Sequence, residues 1–196
     1  WVDEATTADG NTAIGSNALT DNTSGYNNTA VGLQALGDNQ TGNSNTAVGK
    51  DALKLSRTSE HTAVGKGSLA ANTTGSNNNA LGYHSLHANT TGGENVAVGR
   101  MSMVTNTTGN YNVAVGNDAL YTNNGTANVA VGNDALYANT TGINNVAVGA
   151  YALDANTTAT SNTAIGFASL TANTTGTRNT AVGQDSLFAN TTADNN

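Results

Sequence analysis

The sequence predicts an all-β protein, a parallel β-solenoid or β-roll of about eleven coils with 16–17 residues in each. First, the phrase Asn-Val-Ala-Val-Gly at residues 112–116 returns eleven times in variant forms. Second, its glycine recurs every 17 residues, or every 16 after Gly49 and Gly116. A period this short cannot hold a helical hairpin and suits one coil of a solenoid. Third, proline is absent, which fits coils whose backbone amides bond to their neighbours.

The repeats divide the chain into two parts. Residues 1–10 fit the frame as a partial coil, with Val2 on a leucine position, and residues 11–196 form the repeat solenoid. We number the places of each repeat from its first residue, usually Asn, so that place three is Ala, place five is Gly and place nine is Leu. The repeats start near residues 11, 28, 45, 61, 78, 95, 112, 128, 145, 162 and 179.

Each coil has its own sequence of local signals. Places one to four predict a short strand, and Gly at place five predicts a turn with positive φ or a close backbone approach. Places seven to nine predict a second extended segment that ends on an inward Leu, followed by an Asn-Thr-Thr-Gly loop. We expect the aliphatic residues at places four and nine to form the interior. Asn at places one and twelve predicts side-chain amide ladders along the axis.

Composition excludes several classes of function. Charged residues make up only 10% of the chain and the net charge is −7, which makes a nucleic-acid partner unexpected. There is no cysteine, hence neither a disulfide nor a thiolate metal site. No apolar run approaches the length that spans a bilayer, so we expect no membrane insertion in this segment.

The alanine at place three predicts more than one chain. It is Ala in all eleven repeats, and on a strand it points away from places two and four. If place four lies inside, the alanine column lies outside, where a lone roll would accept polar residues. Strands that are apolar on both faces are buried on both faces. The column therefore predicts a partner chain packed against it.

The repeat resembles a known family. Asn-Val-Ala-Val-Gly and Asn-Thr-Ala-Ile-Gly resemble the Ser-Val-Ala-Ile-Gly motif in the heads of trimeric autotransporter adhesins, the YadA-like left-handed parallel β-rolls. The longer form with Ala-Leu and Asn-Thr-Thr-Gly is similar to repeats of bacteriophage tail fibres. The resemblance covers residues 11–196, although the period here is longer than that of the head family. It implies an extracellular homotrimer on a cell or virion surface that attaches to a carbohydrate or another host receptor.

Two groups of residues are candidate ligand sites. Four of the six basic residues lie close together in the sequence, where the third repeat departs from the pattern, and with His61 they form the single predicted basic patch. Its two interpretations are a site for an anionic sugar or phosphate and a solvated irregular loop. The members are Lys50, Lys54, Arg57, His61 and Lys66.

The second group is a pair of tyrosines. Tyr121 and Tyr137 share place ten of adjacent coils, so their rings stack or present a flat surface to a sugar. Asp118 and Asp134 repeat at place seven without a calcium motif, and His84 and His87 lack a third metal ligand. No nucleophile, base and orienting group recur together. We therefore predict no catalytic residues, no metal and no cofactor.

These observations favour a structural, adhesive fibre segment rather than an enzyme. Two alternatives remain. One is an ice-binding solenoid, because ladders of Thr and Val on a flat sheet order water; against it, Thr at place two becomes Val from Val96 to Val146. The other is a self-assembling extracellular filament subunit.

Overall fold

The computed structural model describes residues 8–196, so the predicted placement of Val2 lies outside the described part. The fold is a parallel β-solenoid, as predicted, with one three-residue strand in each of eleven coils. Successive strands pair in parallel and form one sheet in the order β1 to β11. The strands are β1 (Thr12–Ile14), β2 (Thr29–Val31), β3 (Thr46–Val48), β4 (Thr62–Val64), β5 (Asn79–Leu81), β6 (Val96–Val98), β7 (Val113–Val115), β8 (Val129–Val131), β9 (Val146–Val148), β10 (Thr163–Ile165) and β11 (Thr180–Val182).

The register keeps equivalent places in contact along the whole rod. Each strand covers places two to four, and Ala at place three pairs with Ala at place three of the next coil. The two 16-residue coils keep this register, since Ala47 pairs with Ala63 and Ala114 with Ala130. The loop therefore accommodates the shorter length of these two coils, and the pairing of the strands is unchanged.

The strand contributes smaller side chains to the interior than the sequence predicts. Leu at place nine is buried, as predicted, and so is Ala at place three. The prediction that place four lies inside is wrong, because Ile14 is 60% and Val182 65% exposed. Alternation on a strand allows either face to point inward. Leu at place nine and Ala at place three share one buried cluster, so the strand contributes only methyl groups to the interior.

This placement also overturns the argument that the alanine column faces a partner. Ala114 is 0% exposed within its own chain and belongs to the same buried cluster as Ala119 and Leu120. A larger side chain at Ala114 would therefore disrupt the coil itself. The surface left for a partner on this sheet is the outward one, at places two and four.

Places seven to nine form a turn and not the predicted extended segment. Asp118 has φ of 55° and Leu120 has φ of 52°, which is the left-handed region that branched and bulky residues rarely enter. The amides of Asp118 and Leu120 point in opposite directions along the axis of the solenoid. Asp118 N–H donates to Arg100 O at 3.0 Å in one neighbouring coil, and Leu120 N–H donates to Ala135 O at 3.0 Å in the other. Hydrogen bonds on both sides hold this strained backbone in place.

The predicted asparagine ladders are present. At place one, Asn112 Oδ1 accepts a hydrogen bond from Asn128 N–H at 2.9 Å, and Asn112 Nδ2 donates to Gly125 O at 2.9 Å. At place twelve, Asn139 Nδ2 donates to Asn123 Oδ1 at 2.7 Å. These asparagines are 0% exposed, so the rod has a polar, hydrogen-bonded interior beside its apolar one.

Candidate functional site

The outward face of the sheet is the most distinctive surface of the described residues. It carries the side chains of places two and four, and in strands β6 to β9 all of these are valine. We call these eight residues the valine face. They are Val96, Val98, Val113, Val115, Val129, Val131, Val146 and Val148.

The valine face is apolar and open to solvent. Val115 is 36% exposed, and the neighbouring Leu81 and Ile165 at place four are 48% and 41% exposed. With strands about 4.8 Å apart, the four valine strands span about 14 Å, and the place-four column extends to both ends of the sheet. Contiguous apolar patches of this kind mark interaction surfaces, whereas scattered exposed aliphatic residues do not. Sequence reasoning missed this face because it assigned place four to the interior.

The predicted basic patch is divided by the fold. Lys50 Nζ lies 3.8 Å from Asp51 Oδ2, and Lys66 Nζ lies over the Tyr83 ring, 5.5 Å from its centroid. Lys54 lies in a groove that also contains two carboxylates, Asp21 and Asp38. These three lysines therefore have separate partners or neighbours and do not converge on one point.

Arg57 lies apart from the lysines. Its side chain borders two open grooves, one with Thr41, Ser59 and Glu60 and the other with Asp38 and Leu55. Among residues 8–196, no carboxylate lies within 4.0 Å of its guanidinium. Of the predicted patch, Lys54 and Arg57 thus lie in grooves without an ion pair among residues 8–196, and Arg57 is the one that borders two grooves.

His61 belongs to the interior and not to the surface patch, so this part of the prediction is wrong. It replaces Asn at place one and is 1% exposed. Its Nδ1 accepts from Asn78 N–H at 3.2 Å, which places the proton on Nε2, 2.8 Å from Thr58 Oγ1. Burial lowers the pKa of His61 to about 4 against the opposing effect of its backbone hydrogen bonds. The ring is consequently neutral near pH 7 and adds no positive charge to the surface.

Tyr121 and Tyr137 stack, as one interpretation of their spacing predicted. Their ring centroids are 4.9 Å apart and their planes differ by 20°, so each ring covers one face of the other. Burial, then the charge of Asp118, raises the pKa of Asp134. Burial, followed by the charge of Asp134, raises the pKa of Asp154. The tyrosines thus lie beside an acidic surface.

A second aromatic group consists of Tyr83, His84 and His87, with His84 in contact with both other rings. The Tyr83 and His84 rings stack at 4.1 Å, and the His84 and His87 rings stack at 4.4 Å. Burial, then the neighbouring His87 and Lys66, lowers the pKa of His84. His87 Nδ1 lies 2.8 Å from Gly67 O. Parallel rings direct their nitrogens side by side, which is the geometry of packing and not of shared metal ligation.

Clusters of metal-binding side chains and membrane-spanning helices are both absent from the described residues. Residues 8–196 contain no group of three or more His, Cys, Asp or Glu side chains placed to hold a metal ion. Within the same residues, no helix has the length and apolarity needed to cross a membrane.

Comparisons with protein-family profiles, with curated proteins and with solved structures found no match to this chain.

Proposed function

We propose that this chain is a structural, adhesive fibre segment that associates with copies of itself through the outward face of its sheet. The observation that carries the proposal is the valine face. A repeated strand with Ala inside and Val outside is apolar on both faces, and such strands are normally covered on both faces. Because the apolar column recurs at each coil, a second rod of the same sequence offers a matching surface along its whole length.

The number of chains and the role in attachment come from the resemblance to trimeric adhesin heads and tail fibres. We propose a homotrimer, exposed on a cell or virion surface, whose turns and loops face outward once the sheets are covered. In this arrangement the variable residues of places six, seven and ten, such as Leu33, Arg100 and Tyr137, are available to a carbohydrate or another host receptor. The proposed role is binding and scaffolding, without catalysis.

Sedimentation of two charge variants tests the proposal. Val113→Lys combined with Val115→Lys places two ammonium groups at the centre of the valine face. Both side chains are outward in the isolated chain, so we expect the coil to fold and the assembly to dissociate. The parent is expected to sediment with the mass of three chains and the variant with the mass of one.

The matched control carries the same charge on the loop surface. Thr91→Lys combined with Thr108→Lys changes two exposed threonines and should leave the sedimentation of the parent unchanged. A monomeric parent contradicts the proposal. A dimeric parent contradicts the trimer but retains the sheet face as the interface.

Ice binding is a second candidate because the outward sheet also carries a threonine column. Thr12, Thr29, Thr46 and Thr62 occupy place two of the first four strands and pair in register. A flat array of hydroxyl and methyl groups at regular spacing is the feature that favours this function. A thermal-hysteresis measurement distinguishes it: activity that Thr29→Lys abolishes would support ice binding, and its absence in the parent would exclude it.

A further inference from the structure

Loop amides are normally satisfied by the next coil. At places thirteen to fifteen, Thr73, Thr74 and Gly75 donate their N–H groups to one acceptor, Thr90 O, at 3.0, 3.1 and 3.3 Å. The following coil repeats this arrangement on Thr107 O. A carbonyl at place thirteen thus serves as a shared acceptor along the loop side of the rod.

The two 16-residue coils lose this carbonyl acceptor, and one of them replaces it. In the coil that begins at Asn112, the side chain of Asn124 occupies place thirteen. Its Oδ1 accepts from Thr107 N–H at 2.8 Å, from Thr107 Oγ1 at 2.7 Å and from Thr108 N–H at 3.4 Å. An amide oxygen therefore satisfies the donors that the shortened loop would leave without an acceptor.

The other 16-residue coil, which begins at Asn45, has Arg57 at the same place. A guanidinium has five donors and no acceptor. Within residues 8–196, the N–H groups of Gln40 and Thr41, which correspond to those of Thr107 and Thr108, have no hydrogen-bond acceptor. Gly42 N–H is satisfied separately by Asn39 Oδ1 at 3.0 Å. A cation thus occupies the position where its counterpart coil has an oxygen.

We propose that this position binds an oxyanion, a carboxylate or a sulfate, carried by an acidic polysaccharide. The anion supplies the missing acceptor: it accepts from the Gln40 and Thr41 amides and pairs with Arg57, whose planar fork suits two oxygens. This inference rests on the proposed role in attachment and assigns it a location and a ligand class.

The surroundings of Arg57 favour a sugar chain over a free ion. The groove on one side is lined by hydroxyl and amide groups from Thr41, Ser59, Ser76 and Asn77. The groove on the other side includes Thr73, Thr74 and Leu55, which is 37% exposed. Hydroxyls, amides and a small apolar surface are the partners that sugar rings require.

Two carboxylates limit which anions fit. Glu60 borders the first groove and Asp38 borders the second. Their charge disfavours a densely charged polyanion lying along both grooves. We therefore expect the site to select a polymer whose anionic groups are separated by neutral sugar units.

Binding of the full chain to three immobilised polysaccharides tests the proposal. Heparin presents sulfate and carboxylate, hyaluronan presents one carboxylate per disaccharide, and dextran is neutral. At about 150 mM salt, where charges more than about 8 Å apart are largely screened, we expect hyaluronan to bind at least as tightly as heparin and dextran not to bind. Absence of binding to both acidic polymers overturns the proposal.

Arg57→Asn is the decisive variant because Asn124 already shows what asparagine does at this place. It supplies the acceptor internally, so we expect a stable fold and at least a tenfold loss of affinity. Arg178→Asn removes the same charge from an exposed position in another loop and should leave affinity unchanged. Equal losses in the two variants would mean diffuse electrostatic attraction and would overturn the specific site.

Amide chemical shifts locate the ligand independently of affinity. Hyaluronan fragments should move the Gln40 and Thr41 amide signals and leave those of Thr107 and Thr108 in place. In the reciprocal variant Asn124→Arg, the Thr107 and Thr108 signals should respond as well. Unmoved Gln40 and Thr41 signals at saturating ligand would overturn the assignment.

Failure of this inference and failure of the proposed assembly give different results. A chain that sediments as an oligomer but binds neither acidic polymer retains the fibre and loses the site. A chain that binds hyaluronan through Arg57 but sediments as a monomer retains the site and loses the assembly.

Discussion

The buried asparagines hold neighbouring coils together through side-chain amides as well as through the backbone. Asn112 uses both ends of its amide: Oδ1 accepts from Asn128 N–H, and Nδ2 donates to Gly125 O and to Asn95 Oδ1. An aliphatic side chain at this place would leave Asn128 N–H without its acceptor in the interior. Gly125 O and Asn95 Oδ1 would each lose one of two hydrogen bonds. The ladder was predictable from the sequence because Asn recurs at one place with a fixed period.

Asn112→Asp tests the donor half of this amide. A carboxylate retains the acceptor for Asn128 but faces the carbonyl oxygens of Gly125 and Asn95 without a proton to offer. We expect the free energy of unfolding to fall by about 3–5 kcal/mol, the effect of an uncompensated buried charge. Chemical denaturation measures it, and Asn144→Asp, at an exposed loop position, is the control with an expected change within about 0.5 kcal/mol.

His61 makes the stability of the rod depend on pH. Its pKa is about 4 in the folded chain and about 6.5 in the unfolded chain. Because the folded pKa is the lower one, the unfolded state binds more protons between these values. Stability is therefore full above pH 6.5 and falls as the pH drops towards 4, by about 3 kcal/mol.

The variant Ser56→Asn with His61→Asn isolates this effect. It restores the asparagines of places twelve and one that the regular coils carry, and it removes the titrating ring. Thermal melting of the parent should lose stability from pH 7 to pH 4 relative to the double variant. Parallel pH profiles for the two proteins would contradict the assignment to His61.

Each coil combines a strand that the sequence predicts with a turn that it does not. The glycine at place five and the inward Leu follow from composition and spacing, and both are confirmed. The prediction of an extended segment at places seven to nine was wrong, because no sequence pattern indicates a Leu in the left-handed region. That conformation depends on hydrogen bonds from coils on both sides, which are contacts of the stack and not of the local chain.

The prediction of which strand face points inward was wrong for a related reason. Hydrophobicity alone places Val inside and Ala outside. The structure shows the reverse, since Ala30 belongs to one buried cluster with Ala35 and Leu36. The space available inside a closed coil cannot be read from the period of the hydrophobic pattern.

Gly116→Ala tests the close approach of backbones at place five. Gly116 has φ of 143°, and an added Cβ would lie 2.6 Å from the carbonyl carbon of Gly132 in the next coil. Strain and overlap together should reduce stability by at least about 2 kcal/mol. Gly183 has φ of 119° and no atom within 4 Å of the added Cβ, so Gly183→Ala carries strain alone. Equal melting temperatures for the two variants would contradict the role of close approach.

The rod as a whole behaves as a stack of equivalent units. Within residues 8–196, each strand contacts only the strands next to it in the sheet, so stability is expected to be a sum of coils and of the interfaces between them. The sequence predicted this architecture well because the repeat itself encodes it. The proposed ligand position at Arg57 was predictable only as part of a loose basic patch, since the acceptor that Arg57 replaces becomes visible when the two shortened coils are compared in space.

Deletion of one complete coil tests the stack. Removing residues 112–127 joins Tyr111 to Asn128 and brings β6 against β8 in the same register, with Thr140 O available to the loop amides of Thr107 and Thr108. We expect a folded rod about 4.8 Å shorter, measurable by small-angle X-ray scattering. Removing half a coil, residues 112–119, should prevent folding, and a folded product would contradict the unit assignment.

The interrupted loop beside Arg57 also determines how the rod yields to tension. A force along the axis passes from coil to coil through hydrogen bonds that point along that axis, and the junction at Gln40 and Thr41 lacks two of them. Within residues 8–196, the N–H groups of Arg57 and Thr58 in the following coil also have no acceptor. Under load we therefore expect the coil that begins at Asn45 to peel away first, releasing about 50 Å of chain for each coil that peels away. The proposed anion, by bridging these amides to Arg57, would close this gap, so we expect a rod pulled through such a ligand to resist rupture better than the same rod with the site empty.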